Sequence, residues 1–375
     1  MFKSAIIYKL QVSTELSAAA LSDKLSANTF VSCGPTQEKS VGWIPPRAEH
    51  GALVESVGGQ LIAKLAIETK SVPKSEIDKQ LQAVAEHIEQ TTGRKPGKKE
   101  RRDLQDEIRF NLLPKAFPKL KHVLVWIDQA AGTIVLNAGS QSAADEVISA
   151  LLYSVSDLKI SLIQTVTSPQ AAMTQWLLAA DTDEWPGQFC VERECVLKSN
   201  GEDAATVKFS KHHLANDEVR KHVLEGKLPT QLALSWDEKA SFVLTESLQL
   251  KKIAFLDGVM DASGTDKNED RFDSDVALAT GLLTPVIAEL IEALGGEMEV
   301  AVAQEQQSEP EAHDSDLYDK AIKIVMSEQK ASISLIQRHL KIGYNAAARL
   351  LEQMEVDGLV SPMQSNGMRK ILESA

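Results

Sequence analysis

Apolar positions along the chain follow two periods. In residues 1–75 they alternate, and FKSAIIYKLQV, ALVESV and QLIAKLAIET read as strands. Between the first two, LSAAALSDKLSANTF carries apolar residues at helical spacing and predicts one helix. The paired prolines of GWIPP (Gly42–Pro46) predict a fixed, extended turn. From Lys74 the period changes: Ile77, Leu81, Val84 and Ile88 mark one helix, stopped near TTGRKPG (Thr91–Gly97). Leu104, Ile108, Leu112 and Leu113 mark a second, so the pair forms a helical hairpin joined by a short basic turn.

Beyond it, HVLVWID (His122–Asp128) and TIVLNAG read as strands and SAADEVISALLYSV as an amphipathic helix. Residues 160–260 mix the short strands ATVKFS, QLALSW, ASFVLT and KKIAFLD with one helix, DEVRKHVLEG. A long apolar helix is expected over 276–295, ending at Gly295–Gly296. No stretch reads as the roughly 18 apolar residues of a membrane span, and MFKSAIIYKLQVSTEL reads as a strand, not a signal peptide. A cytoplasmic protein with no membrane partner is expected.

The segment 299–313 is acidic and poor in large apolar residues, and reads as a flexible linker. After it, Leu317, Ala321, Ile324 and Val325 make one helical stripe. Ile333, Ile336 and Leu340 make a second, with Ser332 as its N-cap. Ala347, Leu350, Leu351 and Met354 make a third, ended by Gly358. LVSPMQSNGMRKIL then reads as two short strands about an Asn366–Gly367 turn. Three helices and a hairpin are the winged helix-turn-helix layout. The expected class is therefore α+β: a body over 1–298 with antiparallel sheets and a helical finger near 74–121, the linker, and a winged helix over 314–375.

Composition is ordinary for a globular chain, with 43% hydrophobic and 25% charged residues. The three cysteines, Cys33, Cys190 and Cys195, give no disulfide framework and no zinc-ligand spacing, and read as free thiols. The net charge of −13 argues against a polyanionic partner until its distribution is considered. Between Arg94 and Lys121 there are ten Lys/Arg against four Asp/Glu, whereas Phe272–Asp319 contains no Lys or Arg. The hairpin's basic residues are Arg94, Lys95, Lys98, Lys99, Arg101 and Arg102. In the C-terminal unit Asn345 and Arg349 lie four apart on one helix face, beside Glu352 and Gln353. Asn and Arg are the residue types that read adenine and guanine edges in the major groove. Arg338, Lys341, Arg369 and Lys370 are placed to meet phosphates.

KASISLIQRHLKIGYNAAARLLEQMEVDGLVS (Lys330–Ser361) resembles the γ domain of the DNA translocase FtsK, a winged helix that reads short G-rich sequences. The resemblance assigns Asn345, Arg349 and Glu352 to a recognition helix. The family has Arg directly after its Tyr-Asn pair where this chain has Ala346, which predicts altered or relaxed sequence preference. No GxxxxGK[ST] motif is present, so the motor is not expected.

Residues 1–298 resemble the RdgC family. The likeness rests on FKSAIIYKL, GWIPP, LLPKAFPKLKHVLVWID (Leu112–Asp128), GKLPTQLALSW (Gly226–Trp236), RFDSDVALATGLL (Arg271–Leu283) and LIEALGGE (Leu290–Glu297). It implies a homodimeric ring around double-stranded DNA, binding largely without sequence preference, nucleoid association, and restraint of RecA-type recombination. By this resemblance Lys70, Arg94 and Lys115 match basic lumen positions, and Phe117 matches an apolar ring-closing residue. Lys211 and Lys227 match basic gate positions, and His212 stands where the family often has Gln.

No cofactor, metal or catalytic residue is expected. The competing enzymatic reading is a divalent-metal nuclease using Asp257, Asp266 and Asp270 in the acidic run Asp257–Asp275. An EF-hand is unsupported there, because Arg271 and Ala277 replace the required Gly and Glu. A third reading is an adaptor that docks a translocase or recombinase. Adjacent His212 and His213 point apart and make a poor metal pair. Trp43, Trp126 and Trp236 are expected in the core.

Overall fold

The computed structural model describes residues 2–12, 16–47, 51–155, 157–179, 185–199, 205–256, 269–298, 314–328, 331–340, 342, 344–361, 369 and 371–372. The class is α+β, built on an antiparallel sheet. The first strands are β1 (Ser4–Gln11), β2 (Lys39–Ile44), β3 (Val54–Val57) and β4 (Gln60–Lys70), with helix α1 (Ala18–Ser26) after β1. Two helices, α2 (Lys74–Thr92) and α3 (Lys98–Leu112), precede β5 (Pro118–Asp128), β6 (Thr133–Leu136), α4 (Gln141–Ser154) and β7 (Lys159–Leu162). Helix α5 (Pro169–Leu178), β8 (Phe189–Ser199), β9 (Thr206–Ser210) and α6 (Asp217–Leu224) follow. The sheet closes with β10 (Lys227–Trp236), β11 (Ala240–Thr245) and β12 (Gln249–Phe255), and helix α7 spans Glu269–Ala293.

The strands form one sheet in the order β2-β4-β5-β6-β1-β12-β11-β10-β8-β9, with β3 on β4 and β7 on β1. β1 is central and pairs three strands: β6 through Ile6–Lys9, β12 through Ser4–Ile6 and β7 through Tyr8–Gln11. Because side chains alternate across a strand, β1 feeds two cores. Ile6, Tyr8 and Leu10 pack with α1 and α4, while Ala5 and Ile7 pack with α5, α6 and α7. Trp43, Trp126 and Trp236 are all buried, as their apolar surroundings predicted.

Local chemistry sets the helix ends. The side chains of Ser17, Ser140, Ser168 and Asn216 cap α1, α4, α5 and α6 by accepting from backbone N–H groups three residues on. Gly93 ends α2 at φ 70°, the left-handed region favoured by glycine.

Three expectations change. GWIPP is not a turn throughout: Gly42, Trp43 and Ile44 belong to β2, and the prolines follow its end. Gly42 is required because residues 28–30 cross directly over it, with Trp43 N–H donating to Asn28 O at 2.8 Å and Phe30 N–H to Trp43 O at 3.0 Å. The region after residue 155 holds β7, α5 and β8, which the periodicity did not resolve. In α7, Arg271–Ala293 does have the length and apolar composition to cross a membrane. Here Val276, Ala279, Leu283, Val286 and Leu290 pack into the second core, and Trp236 Nε1 donates to Glu289 at 2.7 Å.

The C-terminal unit contains α8 (Asp314–Ser327), α9 (Ile333–Leu340) and α10 (Tyr344–Val356). Ala321, Val325, Ile336, Ala347, Leu350 and Met354 are buried, and Ser332 caps α9 through a 3.2 Å bond from Leu335 N–H. Gly358 follows α10 at φ 72°. Antiparallel bridges join Ala331 to Arg369 and Val360 to Ile371. The predicted turn at Asn366–Gly367 and the predicted linker at 299–313 lie outside the described residues.

Candidate nucleic-acid interface

Strand β4 runs into α2, and α3 returns through a short 3-10 turn (Leu113–Lys115) into β5. β4 and β5 pair along their length, ending with Lys70 opposite Pro118. The two helices are therefore an insertion between paired strands. Their shared core is small: Ile77, Leu81 and Ile108, with Val72, Val84, Leu104 and Leu112 against them. All of it lies toward the sheet, so the far end is polar.

That end carries the predicted cations, in two states. Arg94 forms a bidentate pair with Glu100, Nη1–Oε2 2.7 Å and Nη2–Oε1 3.2 Å, and Glu100 also accepts from Gly97 N–H at 3.3 Å. The Arg94 hydrogen bond holds the Glu100 carboxyl below its ordinary pKa. Lys95 lies 3.8 Å from Glu89. Lys98, Lys99, Arg101 and Arg102, by contrast, are exposed and make no ion pair among the described residues.

At the base, Lys115 is exposed and Phe117 is 92% exposed, an extreme value for a large apolar side chain. Leu120 and Phe110 are also exposed nearby. Lys70 is turned inward, its Nζ donating to Gly34 O at 2.9 Å and Cys33 O at 3.4 Å. Lys119 and Lys121 were not singled out from the sequence, yet they stand exposed at the start of β5. The alternating PKLKH of Pro118–His122 was the available signal.

A second group gathers at the β9–α6–β10 corner. Phe209 is buried between the His212 ring at 5.3 Å and the His222 ring at 5.9 Å. Lys211 has φ 56°, a left-handed backbone for a non-glycine residue, and its side chain is exposed. His212 Nε2 lies 3.7 Å from Glu218, and Lys227 Nζ lies 3.0 Å from both Glu225 and His222 Nδ1. The structure thus brings Lys211, His212 and Lys227 to one corner, with Lys227 largely covered.

On the C-terminal unit Arg349 and Glu352 are exposed on α10. Arg338 Nη2 reaches Gln141 Oε1 of α4 at 3.5 Å. Arg369 is only 10% exposed and is paired with Glu355, so it does not present a free guanidinium. Lys341 and the side chain of Asn345 lie outside the described residues. So do Asp257 and Asp266 and the side chain of Asp270. Among the described residues no group of three or more His, Cys, Asp or Glu is placed to hold a metal ion. Cys33 is half-buried, Cys190 exposed and Cys195 buried, and all three are free.

Fold and surface together define an α+β protein with a basic helical insertion in its sheet and a small helical unit at its C-terminus. The chain belongs to the RdgC family. The family profile, described as "Putative exonuclease, RdgC", matches residues 1–297, and that of the FtsK gamma domain matches residues 312–374. The recombination-associated protein RdgC of Herminiimonas arsenicoxydans is 42% identical over 298 residues, 79% of this chain and 98% of the relative. That of Janthinobacterium sp. (strain Marseille) is 41% identical over 300 residues, 80% of this chain and 99% of the relative. That of Dechloromonas aromatica (strain RCB) is 36% identical over 302 residues, 79% of this chain and 98% of the relative. These relatives are named for recombination and not for a catalytic activity, and their length is that of the body alone.

Proposed function

We propose that the body binds duplex DNA without sequence preference and that the C-terminal unit, a winged helix, adds a second and sequence-directed contact. The observation that carries this reading is the set of four exposed cations, Lys98, Lys99, Arg101 and Arg102, without ion-pair partners among the described residues of a chain of net charge −13. Unpaired cations at the end of a projecting helical pair are what a phosphate backbone engages, by releasing its condensed counterions. Lys95, Lys115, Lys119 and Lys121 extend the same surface.

The body acts as a homodimeric ring. Phe117 is the apolar contact that closes one junction, since a side chain so exposed gains most from burial against a second copy. Lys211, His212 and Lys227 form the other junction and its basic margin. Lys70 and Arg94 contribute once DNA competes for their present partners. The ring coats DNA in the nucleoid and restrains RecA-type strand exchange. On the winged helix, Asn345, Arg349 and Glu352 read base edges while Arg338 and Lys341 face phosphates, and Arg369 joins them only once DNA competes for its Glu355 partner. Residues 299–313 are the tether that holds one module near DNA already bound by the other.

The test is a titration of the full chain and of residues 1–298 against labelled duplexes at several salt concentrations. One duplex carries G-rich repeats and the other is scrambled. The body is expected to bind both equally, with a steep salt dependence. Lys98→Glu with Arg102→Glu should weaken both alike and reduce the slope of log K against log salt by about 2. Only the full chain should prefer one duplex, and Arg349→Ala should remove that preference. A body that binds neither duplex at low salt overturns the reading. Magnesium-dependent loss of the duplex, abolished by Asp257→Ala, would replace it with the nuclease.

A further inference from the structure

The C-terminal unit does not stand apart from the body in this structure. Helix α9 packs on α4 and β7, and α10 packs on β7. Ala321, Val325, Ile336 and Leu351 of the unit join the same apolar cluster as Ile148, Leu151 and Ile160 of the body. A cleft at the junction is lined by Ser142, Asp145 and Ser149 of α4 and by Ser332, Ile333 and Leu351 of the unit. The Arg338–Gln141 contact crosses the same junction.

One residue is out of keeping with this packing. Gln337 of α9 is 2% exposed, and neither its amide nitrogen nor its amide oxygen has a hydrogen-bond partner among the described residues. At 3.6 residues per turn it lies about 40° from Ile333 and about 100° from Arg338 around the helix. Ile333 lines the junction cleft and Arg338 reaches Gln141 of α4, so helical spacing puts Gln337 on the side of α9 between them. A buried amide with neither group satisfied opposes the state that buries it, whereas the same amide in water is fully solvated. Beside that apolar cluster the cleft is lined also by Ser142, Asp145, Glu146, Ser149 and Arg369, polar groups that water can solvate when the unit leaves. Meanwhile Arg349, Glu352 and Gln353 stay exposed, so the packed face and the polar face of α10 are separate surfaces.

We infer that the α4–β7 face of the body is a releasable docking site for the chain's own C-terminal unit, with Gln337 as the residue that keeps the docked state from becoming permanent. The occupant is the unit itself, residues 314–372, held on a tether short enough to make redocking intramolecular. A permanent interface would place an apolar residue at position 337. A domain that never docks would have no reason to cover α4. The inference is independent of DNA binding and extends the proposed function by giving the two modules a defined resting arrangement.

Amide hydrogen exchange over residues 141–162 tests it without regard to oligomeric state, in four proteins: the full chain, residues 1–298, and full-length Ser149→Arg and Gln337→Leu. The expected result is exchange several-fold slower in the full chain than in residues 1–298. Ser149→Arg, a change on the body that leaves the unit's own core intact, should return it to the truncated rate. Gln337→Leu should slow exchange a further tenfold or so by removing the unsatisfied amide. Equal exchange in the full chain and in residues 1–298 overturns the docking site. Protection that Gln337→Leu leaves unchanged overturns the role of Gln337, and assigns that residue to the unit's own core.

Discussion

At the scale of single residues, the surface divides cations that are free from cations that are engaged. Charge counting found the basic stretch from Arg94 to Lys121, because charge is local in sequence. It could not sort the members, because sorting depends on what tertiary structure brings alongside. Lys70 is held by carbonyl oxygens of Cys33 and Gly34, about 36 residues earlier in the chain. Arg94 is held by Glu100 across the loop. The Glu100 carboxyl has its pKa lowered by that bond, so the pair is complete above the ordinary carboxylate range and is lost only as pH falls through the depressed value. If the body binds DNA as proposed, Glu100 competes with phosphate for Arg94 at neutral pH. Glu100→Gln should raise affinity for any duplex about two- to fivefold and steepen the salt slope by about 0.9, one extra phosphate contact. Fluorescence anisotropy at several salt concentrations measures both. An unchanged slope would mean that Arg94 faces away from the DNA path.

At the scale of elements, what could be read was what is strongly periodic. The amphipathic α2, α3, α4, α6 and α10 were legible because each turns one apolar face inward, and β1, β4 and β10–β12 because they are continuous apolar-rich runs of strand length, β1 and β4 feeding both cores. The misses have physical causes. Helix α5 buries Ala172, Met173, Trp176 and Leu177 on one face, but Ala171 and Leu178 make its other side apolar too, so the stripe does not stand out. Strand β8 pairs β10 through two register shifts that break its alternation, and β7 is only four residues long. GWIPP was misread because its prolines are conspicuous, whereas Gly42 matters for what passes above it. A Cβ at position 42 would stand 2.4 Å from Phe30 Cα and 2.7 Å from Thr29 C, both backbone atoms that cannot swing aside. Gly42→Ala should therefore destabilise the body by at least the roughly 1–3 kcal/mol typical of overpacking. A lowered urea midpoint with an unchanged slope checks this.

At the scale of the whole molecule, a strongly acidic chain and a polyanionic partner are reconciled if basic side chains line an enclosed path and acidic ones face outward. Enclosure has a topological consequence. Complexes on nicked circular duplex should survive a salt challenge that clears linear duplex of equal length, and linearising the circle should release them. Equal release from both forms would mean that the body lies on DNA without surrounding it. The central position of β1 has a different consequence, in the order of synthesis. Its first residues pair with Gln249–Lys251, so the middle strand of the sheet is made first and receives one of its neighbours almost last. At about 5–20 residues per second the opening strand waits on the order of tens of seconds for that partner to leave the ribosome. The second core, which takes in Leu250 and Ile253 of β12, cannot close before then. The first core draws its buried body residues from positions up to Ile160 alone, so the α4–β7 face is in place well before the C-terminal unit is made.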